Sequence, residues 1–326
     1  MYLSGEKFSM QQPPELTIII VNWNTRDLLR DCLNSVYAET EETSFEVLVV
    51  DNASSDSSAE MVKREFTQVR LIENEENLGF ARANNQAIRQ SSGSYVLLLN
   101  PDTVVLSRAL DKMVSFMRAH PDVDASGPMI LNTDGSPCSS AHDTSYTFGS
   151  GADFLLRESL ATYLPRLLIS KLGKRESYSP HPRQVGWVTG ACMMMTREAV
   201  DKVGFLDEQC FLYSEEADWF YRLKQLGGKT YFIPEAQIIH HLGQAMKQTD
   251  TALKYYYQSR YVFIKKHHKK VQAYFFRFMV AIDCFAASCA FLLLQAVVKG
   301  DKRDEMKWKL RCRWRAFLWA IGLDQR

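Results

Sequence analysis

The first hundred residues alternate four times between a short apolar run and a helical pattern, and few architectures accept that rhythm. The apolar runs are Leu16–Val21 (LTIIIV), Phe45–Val50 (FEVLVV), Val69–Ile72 and Tyr95–Leu99 (YVLLL). Runs this short and this apolar read as strands buried on both faces, which is how parallel strands appear in sequence. Between them, Thr25 can cap a helix in which Leu28, Leu29, Leu33 and Val36 recur at helical spacing. Further helices are expected near 57–66 and 81–91. The chain therefore predicts an α/β fold, a mainly parallel sheet with flanking helices.

Every one of these strands ends in polar residues: Asn22 and Asn24, Asp51 and Asn52, Glu73 and Asn74, Asn100 and Asp102. Strand ends of a parallel sheet gather at one edge, where open α/β sheets place their ligands. Pro101 stops the last strand because it cannot donate to a ladder. Asp102 is then presented as a ligand for a hard cation, or as a cap for the helix expected over 104–120. A nucleotide is the natural occupant of such an edge. Neither GxGxxG nor GxxxxGK[ST] follows the first strand, and no Gly-rich basic loop is there to grip a triphosphate. Acidic and amide groups without a phosphate loop suggest a metal-neutralised diphosphate, with carboxylate and amide groups on the base and ribose.

Farther along, Val123–Ile130 reads as a strand, 132–184 is poorly patterned with a short amphipathic helix at Phe154–Leu168, and Ala191–Met195 is a buried strand with core methionines. Ser214 is a good helix cap, followed by Glu215, Glu216 and Asp218. Acids in a first turn are favoured by the helix dipole. The functional alternative is that one of them faces a cleft as a general base. Spacing puts Glu215 and Asp218 on one face and Glu216 on another. Gly227-Gly228 ends that helix, and two short strands, Thr230–Ile233 and Gln237–Ile239, lead to His240. A histidine there is either structural or completes an oxygen/nitrogen metal shell with Asp102.

The 326 residues allow one large or two modest domains, and 46% hydrophobic with 24% charged residues is ordinary globular composition. A net charge of +1 argues against a polyanion partner such as nucleic acid. Acids crowd 39–76 and bases crowd 260–326, so the basic tail faces phosphates or lipid. Seven scattered cysteines without a CxxC pair or zinc spacing read as reduced thiols. Residues 1–14 lack an apolar core of the signal-peptide kind and read as a disordered lead-in. Phe278–Val298 is about twenty residues long and mostly apolar, a length that could span a bilayer, yet Asp283 interrupts it and both flanks are basic. Lys302–Leu323 mixes bases with Trp308, Trp314 and Trp319, which suits an interfacial helix on an anionic membrane surface. These features favour peripheral or monotopic attachment at the cytoplasmic face. The alternative is a helical hairpin packed on the catalytic domain or on the partner in a homodimer.

Seven blocks occur in order: TIIIVNWNT, VVDNASSDSS, ENLGFARANNQ, LLLNPDT, GPMILNTDGS, VTGACMMMTREAVDKVGFLDEQCFLYSEEADWFYRLKQLGG and PEAQIIHHLG. Together, over residues 15–245, they resemble the inverting family-2 nucleotide-sugar glycosyltransferases, most of all the rhamnosyltransferase-like branch. The resemblance implies a GT-A type nucleotide-diphospho-sugar transferase fold over 15–250 and a helical, basic and aromatic membrane-associated extension over 251–326. It implies that Asp51 and Asn52 hold the nucleoside, that Asn84 lies near the nucleotide, and that Asp102 stands on a divalent cation, Mg2+ or Mn2+, in place of the usual Asp-x-Asp. His240 matches the family histidine. Glu215-Glu216-Ala217-Asp218 matches the Glu-Asp-x-Asp turn, so Glu216 aligns with the base; glutamate replaces the usual aspartate, which leaves Glu215 as the other candidate. Ala245 stands where a serine is usual. The implied reaction is direct displacement from a nucleotide-sugar donor (dTDP-rhamnose first, UDP-hexoses next) onto a glycan or polyprenyl-linked saccharide. The rivals are a nucleotide-sugar hydrolase and a non-catalytic sugar-binding scaffold.

Overall fold

A computed structural model describes residues 13–142, 180–241, 249–294 and 300–324. The amphipathic helix expected at Phe154–Leu168 lies outside them. The strands are β1 (Leu16–Asn22), β2 (Phe45–Asp51), β3 (Arg70–Glu73), β4 (Tyr95–Leu99), β5 (Thr103–Leu106), β6 (Ala125–Leu131), β7 (Pro137–Cys138), β8 (Ala141–His142), β9 (Arg183–Val185), β10 (Trp187–Val188), β11 (Cys192–Thr196) and β12 (Thr230–His240). The helices are α1 (Arg26–Glu39), α2 (Ser58–Glu65), α3 (Phe80–Ile88), α4 (Ala109–Ala119), α5 (Arg197–Val203), α6 (Glu215–Gln225), α7 (Ala252–His267), α8 (Lys270–Leu294) and α9 (Asp301–Ile321).

The main sheet runs β3-β2-β1-β4-β11-β6-β12-β5. Its first four strands are parallel, as the alternation predicts. Then β11 enters antiparallel between β4 and β6, and β5 closes the far edge antiparallel to β12. Residues of β1 alternate between two cores. Ile18 and Ile20 pack with Leu29, Leu33 and Met113 on the α1/α4 side, while Ile19 packs with Ile88 and Trp219 on the other. Sheet burial on both faces explains why these strands carry no polar alternation. Met193, Met194 and Met195 are core residues.

Register sets the functional edge. Asn22 pairs with Asp51, and Asp51 with Glu73, so three of the polar strand ends lie side by side. Three local expectations change. The helix expected over 104–120 begins as a strand, because β-branched Thr103-Val104-Val105 pairs with β12; Ser107 and Arg108 then adopt positive φ before α4 starts. Asp102 accordingly caps no helix. The two short strands before His240 are one strand, β12, with a register shift between Ile233 and Gln237. Thr25 precedes α1 but donates its hydroxyl to Asn22 Oδ1 (2.6 Å), and the Asp56 carboxylate accepts from the Arg26 N–H (2.8 Å) instead.

Gly79 has little latitude. Its φ is +79°, and a Cβ there would lie 2.4 Å from the Phe211 carbonyl oxygen, which accepts from Phe80 N–H. Gly79→Ala is expected to cost about 2–4 kcal/mol, combining backbone strain with the clash, read as a lower urea midpoint at unchanged slope.

Candidate active site

A cleft of about 630 Å³ opens at the carboxyl edge of the sheet. Asn100, Asp102 and His240 line one part of it, and Glu215 and Glu216 another. Pairing of His240 with Thr103 across β5 and β12 brings the histidine beside Asp102: Nε2 lies 3.0 Å from Asp102 Oδ1 and 3.4 Å from Asn100 Nδ2. The His241 N–H donates to the Asp102 carbonyl (2.9 Å), which fixes the turn.

Helix α6 presents the acids. Tyr213 and Ser214 both have positive φ, +70° and +66°, so the chain swings sharply into the helix and Ser214 makes no side-chain cap. Glu215 and Glu216 face each other across the helix start, and the Oε2 atom of each is buried without a hydrogen-bond partner. Burial raises both carboxyls above the usual range. Glu215 rises well above it, because the Glu216 charge adds to burial. Burial raises Glu216 as well, against the lowering effect of backbone N–H groups and the Glu215 carboxyl that donate to it. Two carboxyls this close and this buried do not both ionise readily, so the pair shares a proton. Gly190 lies against this carboxylate's stem; a Cβ there would meet Glu216 Cβ at 3.7 Å.

Asp218 goes elsewhere, against the expectation that it shares a face with Glu215. It is 1% exposed and lines no part of the cleft. Its Oδ1 lies 2.6 Å from His267 Nε2 and 2.9 Å from Lys266 Nζ, and its Oδ2 accepts from Arg222 (2.8 Å). Face arithmetic fails here because the two left-handed residues tilt the first turn and Lys266 and His267 of α7 hold Asp218 on their side. Burial by itself would raise its pKa, but His267, Arg222 and Lys266 hold it below the ordinary aspartate value. Its stabilisation is therefore full above the unfolded-state pKa and fades as pH falls toward the folded value. Asp218→Ala is expected to destabilise by about 2–3 kcal/mol near neutrality, the worth of the charged hydrogen bonds it removes, and the melting-temperature gap should close in acid.

The other expected nucleotide contacts divide. Asn52 and Asn100 line the cleft. Asp51 sits just behind it, with both oxygens engaged by Asn22 Nδ2 (3.0 Å) and the Ser54 N–H (2.9 Å). Asn22 is buried in the same network, and Asn24 accepts from the Ser55 N–H (2.7 Å) rather than lining the cleft. Asn84 is buried one turn into α3 and donates to the Phe80 carbonyl; Asn77 and Gly79 reach the cleft from that block instead. Sequence reading missed Trp23, Tyr213, Thr251 and Tyr255, all of which line it. Only Tyr213, directly before the acidic turn, left a signal in the sequence. Tyr255 stacks on Phe211 at 4.3 Å and Ser259 donates to the Leu212 carbonyl, so α7 forms a wall of the cleft and the boundary expected at 250/251 cuts through it.

Residues 17–204 match glycosyl transferase family 2. The chain belongs to that family. The match ends before the acidic pair and His240, so those residues rest on the geometry above. The N-acetylglucosaminyl-diphospho-decaprenol L-rhamnosyltransferase of Mycobacterium tuberculosis is 27% identical over 265 residues, covering 78% of this chain and 85% of that protein. The O-antigen biosynthesis protein RfbC of Myxococcus xanthus is 26% identical over 72% of this chain but 18% of its own length. Among solved structures, GalNAc-T7 with UDP, GalNAc and Mn2+ superposes at a TM-score of 0.56 with 17% identity, over 95% of this chain and 56% of that one. The mannosyltransferase PcManGT of Pyrobaculum calidifontis, with GDP-Man and Mn2+, gives 0.54 at 17% identity, over 94% and 88%. The family-2 domain here thus has the GT-A fold.

Among the described residues no three His, Cys, Asp or Glu side chains are grouped to hold a metal. Asp102 supplies the kind of carboxylate with which Mg2+ is held together with substrate phosphates and water, and His240 stands beside it as a nitrogen donor.

Proposed function

We propose that this glycosyltransferase moves a sugar, L-rhamnose from dTDP-rhamnose being the best-supported donor, onto a hydroxyl of a glycan or polyprenyl-linked saccharide in cell-surface polysaccharide synthesis, with inversion. One observation carries the proposal: the Asp102–His240 pair and the Glu215–Glu216 pair line the same cleft. The rhamnosyltransferase relative supports the choice of sugar and of lipid-linked acceptor.

In this reading, Asn52 and Asn100 orient the donor, backed by the Asn22–Asp51 network, and Asp102 with His240 would hold Mg2+ or Mn2+. When bound, the ion neutralises charge building on the departing diphosphate. Glu216 accepts the acceptor hydroxyl proton as that oxygen attacks the anomeric carbon. Glu215, sharing a proton with its neighbour, helps hold the Glu216 carboxyl in place. Asp218 acts through α7, by anchoring the helix that carries both acids. Residues 251–326 work at the cytoplasmic face of the membrane, where a polyprenyl-linked acceptor resides.

Metal-dependent release of nucleoside diphosphate from a panel of nucleotide sugars, with and without acceptor, tests this. Release that produces a glycoside supports transfer. Equal release into free sugar without acceptor makes the protein a hydrolase, and no release with any donor ends the proposal.

A further inference from the structure

Twelve large hydrophobic side chains are well exposed among the described residues, and ten of them fall on α8, α9 and the residues just after. Val271, Phe275, Phe278, Ile282, Phe285 and Leu292 recur at intervals of three, four and finally seven residues, a single stripe along α8 about 30 Å long. Every exposed residue of α8 from Val271 to Leu292 is uncharged. The two charged side chains within that span turn inward. Arg277 donates to the Trp319 and Ala320 carbonyls (2.8 and 3.0 Å), and Asp283, 4% exposed, pairs with Arg313 of α9. The opposite face of α8, through Phe276, Val280 and Cys284, packs with Ala316 and Trp319.

We infer that this stripe is the lipid-contacting surface of the protein, with α8 lying in the plane of an anionic bilayer and sunk into it along one side. The inference rests on the membrane reading above and decides its geometry. Length and composition alone would let Lys270–Leu292 cross a membrane. The packing argues otherwise. Helix α9 lies along α8 and carries exposed Arg303, Lys307, Lys309, Arg311 and Arg315, which a spanning α8 would drag into hydrocarbon. Lying flat, α8 sinks its uncharged stripe below the headgroups. Lys269 and Lys270, exposed at its start, and the bases of α9 then meet anionic phosphates. Asp283, costly in a spanning helix, is here paired with Arg313 on the protein side.

Flotation of the full chain tests it. With vesicles of phosphatidylethanolamine and phosphatidylglycerol the wild type should float, and with phosphatidylcholine alone it should float less. Phe278→Gln/Ile282→Gln changes only exposed positions and should cut the bound fraction at least about tenfold. Its melting temperature and nucleoside diphosphate binding should not change. Cys289, exposed on the same side of α8, is a native probe: vesicles should shield it from a membrane-impermeant maleimide. The inference falls if the wild type does not float, if the double variant floats equally, or if Cys289 labels at the same rate with vesicles. It also falls if the double substitution merely splits a dimer, which would give the stripe to a second copy. Nucleotide binding without flotation would leave the transferase reading standing and remove only the lipid surface; flotation without nucleotide binding would do the reverse.

Discussion

Glu216→Gln is expected to slow sugar transfer about a hundred- to ten-thousand-fold, the usual worth of a positioned general base. The amide fills the same space, so the melting temperature should stay within a few degrees of wild type. The effect should appear in kcat, because the proton moves only as the acceptor attacks. Glu215→Gln is the internal control. Its amide still donates to Glu216, so it should retain far more activity than the Glu216 variant. Glu215→Ala removes that donor. Burial then acts on Glu216 unopposed by its neighbour, its pKa rises, and the acidic limb of the pH–rate profile moves to higher pH. In the wild type that limb should already lie above the range of an ordinary carboxylate, since burial raises both groups. A Glu216→Gln enzyme with wild-type turnover would remove the base assignment.

Asp102→Ala should be as damaging by a different route. The carboxylate is 3.0 Å from His240 and is the one anionic group of the proposed metal pair. Losing several kcal/mol of charge stabilisation on the diphosphate corresponds to roughly a thousand-fold in rate. The diagnostic readout is binding rather than rate. In the wild type, Mn2+ should tighten nucleoside diphosphate binding measured by calorimetry. In Asp102→Ala that metal dependence should vanish while metal-free binding persists through Asn52 and Asn100. Metal-enhanced binding that survives the substitution would move the ion elsewhere.

The sequence made the parallel half of the sheet legible because buried parallel strands must be apolar on both faces, and a continuous β-branched run has little else to become. The polar strand ends were legible for the same reason: once β1, β2, β3 and β4 are parallel, their carboxyl ends share an edge. Residues 104–106 read as the start of a helix because the strand partner that claims them, β12, lies more than a hundred residues downstream. The cleft's α7 wall was hidden likewise, since Thr251 and Tyr255 look like any residues at the start of a helix.

From the order of its residues alone, then, this chain determines an edge of polar strand ends, a lone acid after Asn100-Pro101, and an acidic turn with three carboxylates of unassigned purpose. Tertiary structure divides that labour. Antiparallel pairing of β5 with β12 brings His240 to Asp102, and two left-handed residues turn Glu215 and Glu216 into the cleft. Cations on α7 and α6 claim Asp218 for scaffolding. Helical spacing specifies which side chains share a face; it is silent on which face meets a cleft, a cation or a lipid, because that depends on partners supplied by remote segments.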